Sequence, residues 1–261
     1  MFAKDNNYEI FMGRWSRALA PQFIAFAEVA DGERILDVGT GTGALAIALL
    51  ENRSLVGVTG IDPSAAFIAY ASETNTDDRA IFEVGDAQNM HYADASFDRS
   101  LSLLVVNFIP DPLKAVAEMR RVTKPGGMIA AAVWDYSDGM QMLRLFWDEV
   151  IAFDPSADAL DERHMPYCSK NELEQLWREA GLQNVKVTAL VVEQPFDSFE
   201  DYWAPFLLGT GPAGAYVAGL KPERRATLRA RLQKRLLADG LTDPFVLKSR
   251  AWAVIGTARL K

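Results

Sequence analysis

The sequence predicts an α/β fold on a mostly parallel sheet, and three observations carry that expectation. Over the first two thirds of the 261 residues, short apolar runs alternate with helical patterns, as successive strand–helix–strand units require. One run, residues 99–106, is apolar nearly throughout, as in a strand covered on both faces. A glycine-rich stretch, Gly39-Thr40-Gly41-Thr42-Gly43, follows the first apolar run and precedes a helical pattern. A chain of this length buries a core without disulfide staples and corresponds to one domain, or to one domain with an accessory piece.

Taken in order, residues 34–38 read as the first strand, with residues 45–51 in the helix behind it. Residues 55–61 form the second strand, and Pro63-Ser64 opens a helix to about Thr74. Residues 80–84 and 99–106 are the third and fourth strands. Asp111-Pro112 supplies an N-cap and a proline at the first helical position of a helix to about Val122. Lys124-Pro125-Gly126-Gly127 stops that helix and turns the chain into a fifth strand, 128–134. Residues 141–153 are helical in pattern and 154–167 read as a loop. Ser169-Lys170-Asn171-Glu172 is a capping box for a helix closed by Gly181. Residues 185–192 and 252–258 are two further strands, and 196–241 is helical. The whole is expected to be a single domain, residues 1–261, with a doubly wound seven-stranded sheet. Helical insertions at 135–170 and 195–247 are expected to form a lid or accessory layer.

Composition narrows function by exclusion. Asp and Glu outnumber Lys and Arg by 35 to 27, a formal net charge of −8, which disfavours nucleic acid as a general partner. Arg224, Arg225, Arg229, Arg231, Lys234 and Arg235 make the one basic cluster, and their spacing suits a solvated helix face. The single cysteine, Cys168, excludes an internal disulfide and a multi-cysteine zinc site. No metal is expected. Met1 to Glu9 carries Lys4, Asp5 and Glu9 with no apolar run, so neither a secretory signal nor a membrane partner is expected, and a cytoplasmic setting fits.

The glycine stretch carries the most chemistry. Glycines let the backbone turn sharply and approach a ligand, and the helix start behind them offers free N–H groups. Gly39, Gly41 and Ala44 satisfy the dinucleotide pattern G-x-G-x-x-G/A, and Asp62 ends the next strand, where a ribose-binding acid belongs. This alone leaves a nicotinamide enzyme and other nucleoside-cofactor enzymes equally open. Asp37 stands just ahead of the first glycine, where it would repel a pyrophosphate and could hold an amino group. Asp86 adds a third carboxylate after the third strand.

With Phe97-Asp98, the apolar fourth strand and Lys124-Pro125-Gly126-Gly127 following in order, the chain resembles the class I S-adenosylmethionine-dependent methyltransferases, in the branch acting on small molecules. The resemblance runs from about Tyr8 to Trp134 and implies a Rossmann-like sheet. It implies that Asp37, Gly39, Thr40, Gly41 and Gly43 form the loop against the methionine part of S-adenosyl-L-methionine, with S-adenosyl-L-homocysteine as product. It further implies Asp62 on the ribose hydroxyls, Asp86 on the adenine amino group, and Ala87 and Pro63 beside the ring. Asn107 falls where cofactor and acceptor meet. Arg14 is expected at the cofactor carboxylate, with Tyr8 closing the pocket.

The implied reaction is in-line methyl transfer to a small acceptor, in which alignment and desolvation dominate. Trp134, Trp147, Phe196, Trp203, Phe206 and Leu207 in the helical pieces suggest an apolar or aromatic acceptor. No catalytic base stands in a recognisable motif: His91 and His164 read as loop histidines, and Tyr167 has no partner spacing. Asn107-Phe108-Ile109-Pro110 is not the Asp/Asn-Pro-Pro-Tyr/Phe motif of nucleic-acid amino-methylating enzymes. Two other readings stay open: an NAD(P)-dependent oxidoreductase, and a non-catalytic S-adenosylmethionine-binding protein. Oligomeric state is left open.

Overall fold

A computed structural model describes residues 9–52 and 54–259. A π-helical turn, Glu9–Gly13, leads into α1 (Arg14–Phe26). Then follow β1 (Arg34–Val38), α2 (Ala44–Asn52), β2 (Gly57–Asp62), α3 (Ala65–Thr74), β3 (Ala80–Val84) and β4 (Phe97–Leu103). Next come α4 (Pro112–Val122), β5 (Thr123–Trp134), α5 (Gln141–Phe153), α6 (Lys170–Glu179) and β6 (Gln183–Phe196). The last elements are α7 (Phe199–Trp203), α8 (Gly211–Gly219), α9 (Pro222–Ala238) and β7 (Phe245–Thr257).

The strands form one seven-stranded sheet in the order β3-β2-β1-β4-β5-β7-β6. β1 pairs in parallel with β2 and β4, β2 with β3, and β4 with β5. β7 runs against β5, because Gly126 bonds Ala258 while Asp135 bonds Arg250. The sheet is therefore doubly wound around β1, and the strand order reverses between β1 and β4. Ligands of open α/β sheets sit at such a reversal, outside the carboxyl ends of the strands.

Helix starts follow local chemistry. The Ser64 hydroxyl accepts from the Phe67 amide and caps α3, and Asp111 accepts from the Lys114 amide ahead of Pro112. Ser169 accepts from the Glu172 amide, and its hydroxyl in turn donates to the Glu172 carboxylate at 2.6 Å. Gly181, with φ +78°, ends that helix in the left-handed conformation.

Three boundaries depart from the sequence expectation. Lys124-Pro125-Gly126-Gly127 is not a free turn: it is the start of β5, bulged against β4 between Phe97 and Arg99 and bonded to Ala258 on the other side. β4 ends at Leu103, since Leu104 takes φ +66° and residues Val106–Phe108 close a 3-10 turn. β6 and β7 are longer than expected: most β6 side chains are exposed or half-buried, and the first half of β7 alternates buried residues with exposed or half-buried ones, which disguises it.

The chain forms two compact units. The larger comprises Ser16–Val133, Pro166–Leu190 and Ala251–Lys261; the smaller comprises Met1–Trp15, Trp134–Met165 and Val191–Arg250. The larger unit's core is built from β1, β2, β4 and β5 with the inward faces of α1 to α4; Ile35, Leu36, Leu101 and Ile129 are fully buried. The smaller unit has an aromatic core. Phe146 stacks on Phe206 at 4.4 Å, Phe196 on Phe245 at 5.4 Å, and Trp15 meets Trp134 edge-on at 6.4 Å.

Candidate functional site

The glycine loop joins β1 to α2 in the larger unit. Gly39, Gly41 and Gly43 take φ of +73°, +53° and +91°, a region that side chains avoid. Gly39 is doubly constrained, because an added Cβ would lie 2.4 Å from the Val105 methyl. At Gly41 an added Cβ would meet no protein atom within 4 Å, so this face of the loop is open. The Gly39 and Thr40 amides both donate to the Ile61 carbonyl, which clips the loop to the end of β2. Gly60 completes the fit: a Cβ there would stand 2.6 Å from Thr40 Oγ1. A glycine inside a strand signals such close approach, and this was the sequence signal for Gly60.

Asp37 lies at the carboxyl end of β1 and is 1% exposed. Its Oδ2 accepts from the Thr40 hydroxyl at 2.7 Å, while Oδ1 is buried with no hydrogen-bond partner. Burial pushes its carboxyl up to about 7; the Thr40 hydroxyl opposes the rise, the Asp62 charge adds to it, and the Ala46 amide relieves it slightly.

Asp62 ends β2. Its Oδ2 accepts from the Gly41 amide at 3.1 Å and its Oδ1 from the Ser64 amide at 2.9 Å. The carboxylate thus ties the glycine loop to the start of α3. Burial raises its titration, and the two amides pull it back. Each oxygen retains a lone pair for a further donor.

Asp86 follows β3 and is exposed. Its Oδ1 accepts from the Gln88 amide at 2.8 Å and the Gln88 side-chain amide at 3.1 Å, which hold its carboxyl below the usual range. The Gly85 amide bonds the Asp62 carbonyl at 3.1 Å, so the β2 and β3 loops are joined. Pro63 is exposed beside Asp62, and Ala87 is half-buried. Asn107 is buried in the turn after β4, next to the strained Leu104. Sequence reasoning missed Val105 as the wall behind Gly39 and the role of Thr40 as hydroxyl partner of Asp37; no local motif marks either contact.

Arg14 is in the smaller unit, where it pairs with Asp201 at 2.6 Å and lies over the Phe196 ring at 4.9 Å. Tyr8 is outside the described residues. His91 is exposed at 3.2 Å from Glu83, and His164 is exposed at 3.4 Å from Asp158. Trp134, Trp147, Phe196, Trp203 and Phe206 are buried in the smaller unit's own core; Leu207 is exposed. Four of the five arginines of α9 pair with acids of the same unit, Arg224 with Asp154, Arg229 with Glu200, and Arg231 and Arg235 with Glu149, while Arg225 bonds the Leu220 carbonyl. Among the described residues, no three His, Cys, Asp or Glu side chains cluster as metal ligands, and no helix is long and apolar enough to cross a membrane.

Carboxylates and a glycine loop gathered where the strand order reverses define an α/β nucleoside-cofactor site. Comparison with known proteins specifies the class. Residues 36–131 match a family model described as a methyltransferase domain. The chain is 33% identical over 172 residues to a demethylmenaquinone methyltransferase of Staphylococcus aureus, covering 61% of this chain and 71% of that protein. It is 36% identical over 103 residues to the 27-O-demethylrifamycin SV methyltransferase of Amycolatopsis mediterranei, covering 38% of each. A Haemonchus contortus phosphoethanolamine N-methyltransferase 2, solved with phosphomonomethylethanolamine and S-adenosylhomocysteine, superposes with a TM-score of 0.59 at 19% identity, over 98% of this chain and 57% of that one. The YcgJ protein of Bacillus subtilis gives 0.59 at 18% identity, over 95% and 100%. The chain belongs to the class I S-adenosylmethionine-dependent methyltransferase family. It spans less than half the length of several curated relatives that it matches.

Proposed function

We propose that the protein transfers a methyl group from S-adenosyl-L-methionine to a small organic acceptor with an apolar or aromatic body. The observation that carries this reading is the Asp62 carboxylate, which braces the glycine loop through Gly41 and the next helix through Ser64 while keeping acceptor capacity for ribose hydroxyls.

The residues present fit such a cofactor. Asp37 has a buried oxygen without a donor, which suits an ammonium group. The open face at Gly41 lets the chain approach without a side chain in between. The acids at 37, 62 and 86 suit a ligand with donors and no phosphate; a pyrophosphate would be repelled. When bound, the cofactor supplies an electrophilic methyl group. The protein's part is to orient and desolvate: Asp37 and the open face of the loop at Gly41 hold the amino-acid end, Asp62 the ribose, and Asp86 with Ala87 the base. Asn107 stands in the turn after β4, where the acceptor meets the cofactor in the family.

The aromatic rings of the smaller unit are engaged with one another, so the apolar character of the acceptor is argued from relatives acting on a demethylmenaquinone and a rifamycin. The test is thermal unfolding with each cofactor. At a hundred times Kd, S-adenosylhomocysteine should raise Tm by about 5–10 °C. Stabilisation by NADH and none by S-adenosylhomocysteine would replace this reading with the oxidoreductase.

A further inference from the structure

Asp37 is the least expected group in the site. It is a carboxyl sealed inside the larger unit, with one oxygen on a hydroxyl and the other on nothing. An ionised carboxylate in such a place lacks the two or three donors that ordinarily hold it. The polar groups acting on it are few. Thr40 from the loop supplies one hydrogen bond, α2 offers the Ala46 amide, and β2 ends in Asp62, whose charge is of the same sign. No cation from a packed element acts on it among the described residues. From β4, the strand on its other side, the register partner is Leu101.

We propose that Asp37 carries a proton in the free protein, and that the amino-acid end of the cofactor expels that proton to solvent when it binds. This rests on the function proposed above. A neutral carboxyl removes the like-charge conflict with Asp62, and its O–H lies on the orphaned side. An arriving ammonium supplies the missing donor, favours the carboxylate, and displaces the acid proton. Binding is then a proton exchange at Asp37: one N–H···O contact forms as one O–H bond breaks, and the buffer takes the proton. Free Asp37 titrates near neutrality, so the exchange falls in the physiological range. The residue thereby selects a ligand that brings its own positive charge, and pH sets the strength of that selection.

The experiment is calorimetry of S-adenosylhomocysteine and of adenosine, which lacks the amino-acid end. Each is titrated between pH 5.5 and 7 in buffers of different ionisation enthalpy. S-adenosylhomocysteine should release close to one proton at about pH 5.5 and about half a proton at about pH 7, with affinity tightening toward about tenfold per pH unit at the acidic end. Adenosine should release none. The Asp37→Asn variant should lose both the release and the pH dependence. Release with adenosine as well, or release that persists in Asp37→Asn, assigns the proton to another group and overturns the proposal. Tight binding with no release overturns it too, while leaving the cofactor assignment standing. If neither ligand binds, the cofactor assignment is the part that fails. The free protein still tests Asp37 itself: the Tm of Asp37→Asn relative to wild type should grow from pH 5.5 to pH 8. A constant difference overturns the protonated state.

Discussion

At the scale of single residues, the loop glycines are not equivalent. Gly39 faces the Val105 methyls and Gly41 faces open space, although both have positive φ. Gly39→Ala should therefore cost about 2–4 kcal/mol, backbone strain plus overlap, and Gly41→Ala only about 1–2 kcal/mol of strain. Urea denaturation of the two variants checks the ranking. Asp62→Ala removes the acceptor for two loop amides and a charge-assisted partner for ribose. S-adenosylhomocysteine affinity should fall about 10- to 150-fold by calorimetry. The acids at 37, 62 and 86 stand out in the sequence because each lies at or just beyond the end of a strand, ahead of a turn. The sequence could not reveal that Asp37 leans on Thr40 or that Val105 backs Gly39, since those contacts depend on how β4 and the loop come together.

At the scale of elements, the smaller unit is pinned by consecutive acids. Asp161 accepts from Arg144 of α5 and, at 2.6 Å, from Arg163; its neighbour Glu162 accepts from the Trp147 indole N–H. Arg144 and Trp147 lie one turn apart on α5, so residues 161 and 162 clamp one face of that helix. Breaking a buried pair strands its partner charge. Asp161→Asn should cost about 3–5 kcal/mol, and the paired change Arg144→Met with Asp161→Leu less than that, as read from chemical denaturation. This clamp was invisible in the sequence, where 154–167 read as a plain loop: two acids amid polar residues carry no periodicity. The helices with caps, α3, α4 and α6, were legible because a single side chain starts each one. The long edge strand β6 was legible only in its apolar middle.

At the scale of the whole molecule, the alternation of runs and helices pointed to a parallel sheet, while the strand order and its reversal between β1 and β4, at whose strand ends the site lies, depend on how distant segments pair. Charge acts on this scale too. Burial pushes both Asp37 and Glu162 up to about 7. A raised acid stabilises the fold fully below its unfolded value, near 4, and that contribution is lost as pH rises through about 7. Asp135, held below the usual range by Ser137 and Arg250 against its burial, works the other way, and its contribution is lost as pH falls through its folded value. Tm should therefore peak at about pH 4–5 and decline up to about pH 7; a Tm that climbs steadily from about pH 5 to pH 7 would refute the assignment. Four of the five arginines of α9, paired with acids of their own unit, bear on a different quantity, the rate of encounter. With those charges neutralised locally, the molecule meets its acceptor behind a net charge of −8. Added salt should then raise kcat/KM for an anionic acceptor, lower it for a cationic one and leave a neutral one unchanged, so that ionic strength reads the sign of a substrate before its structure is known.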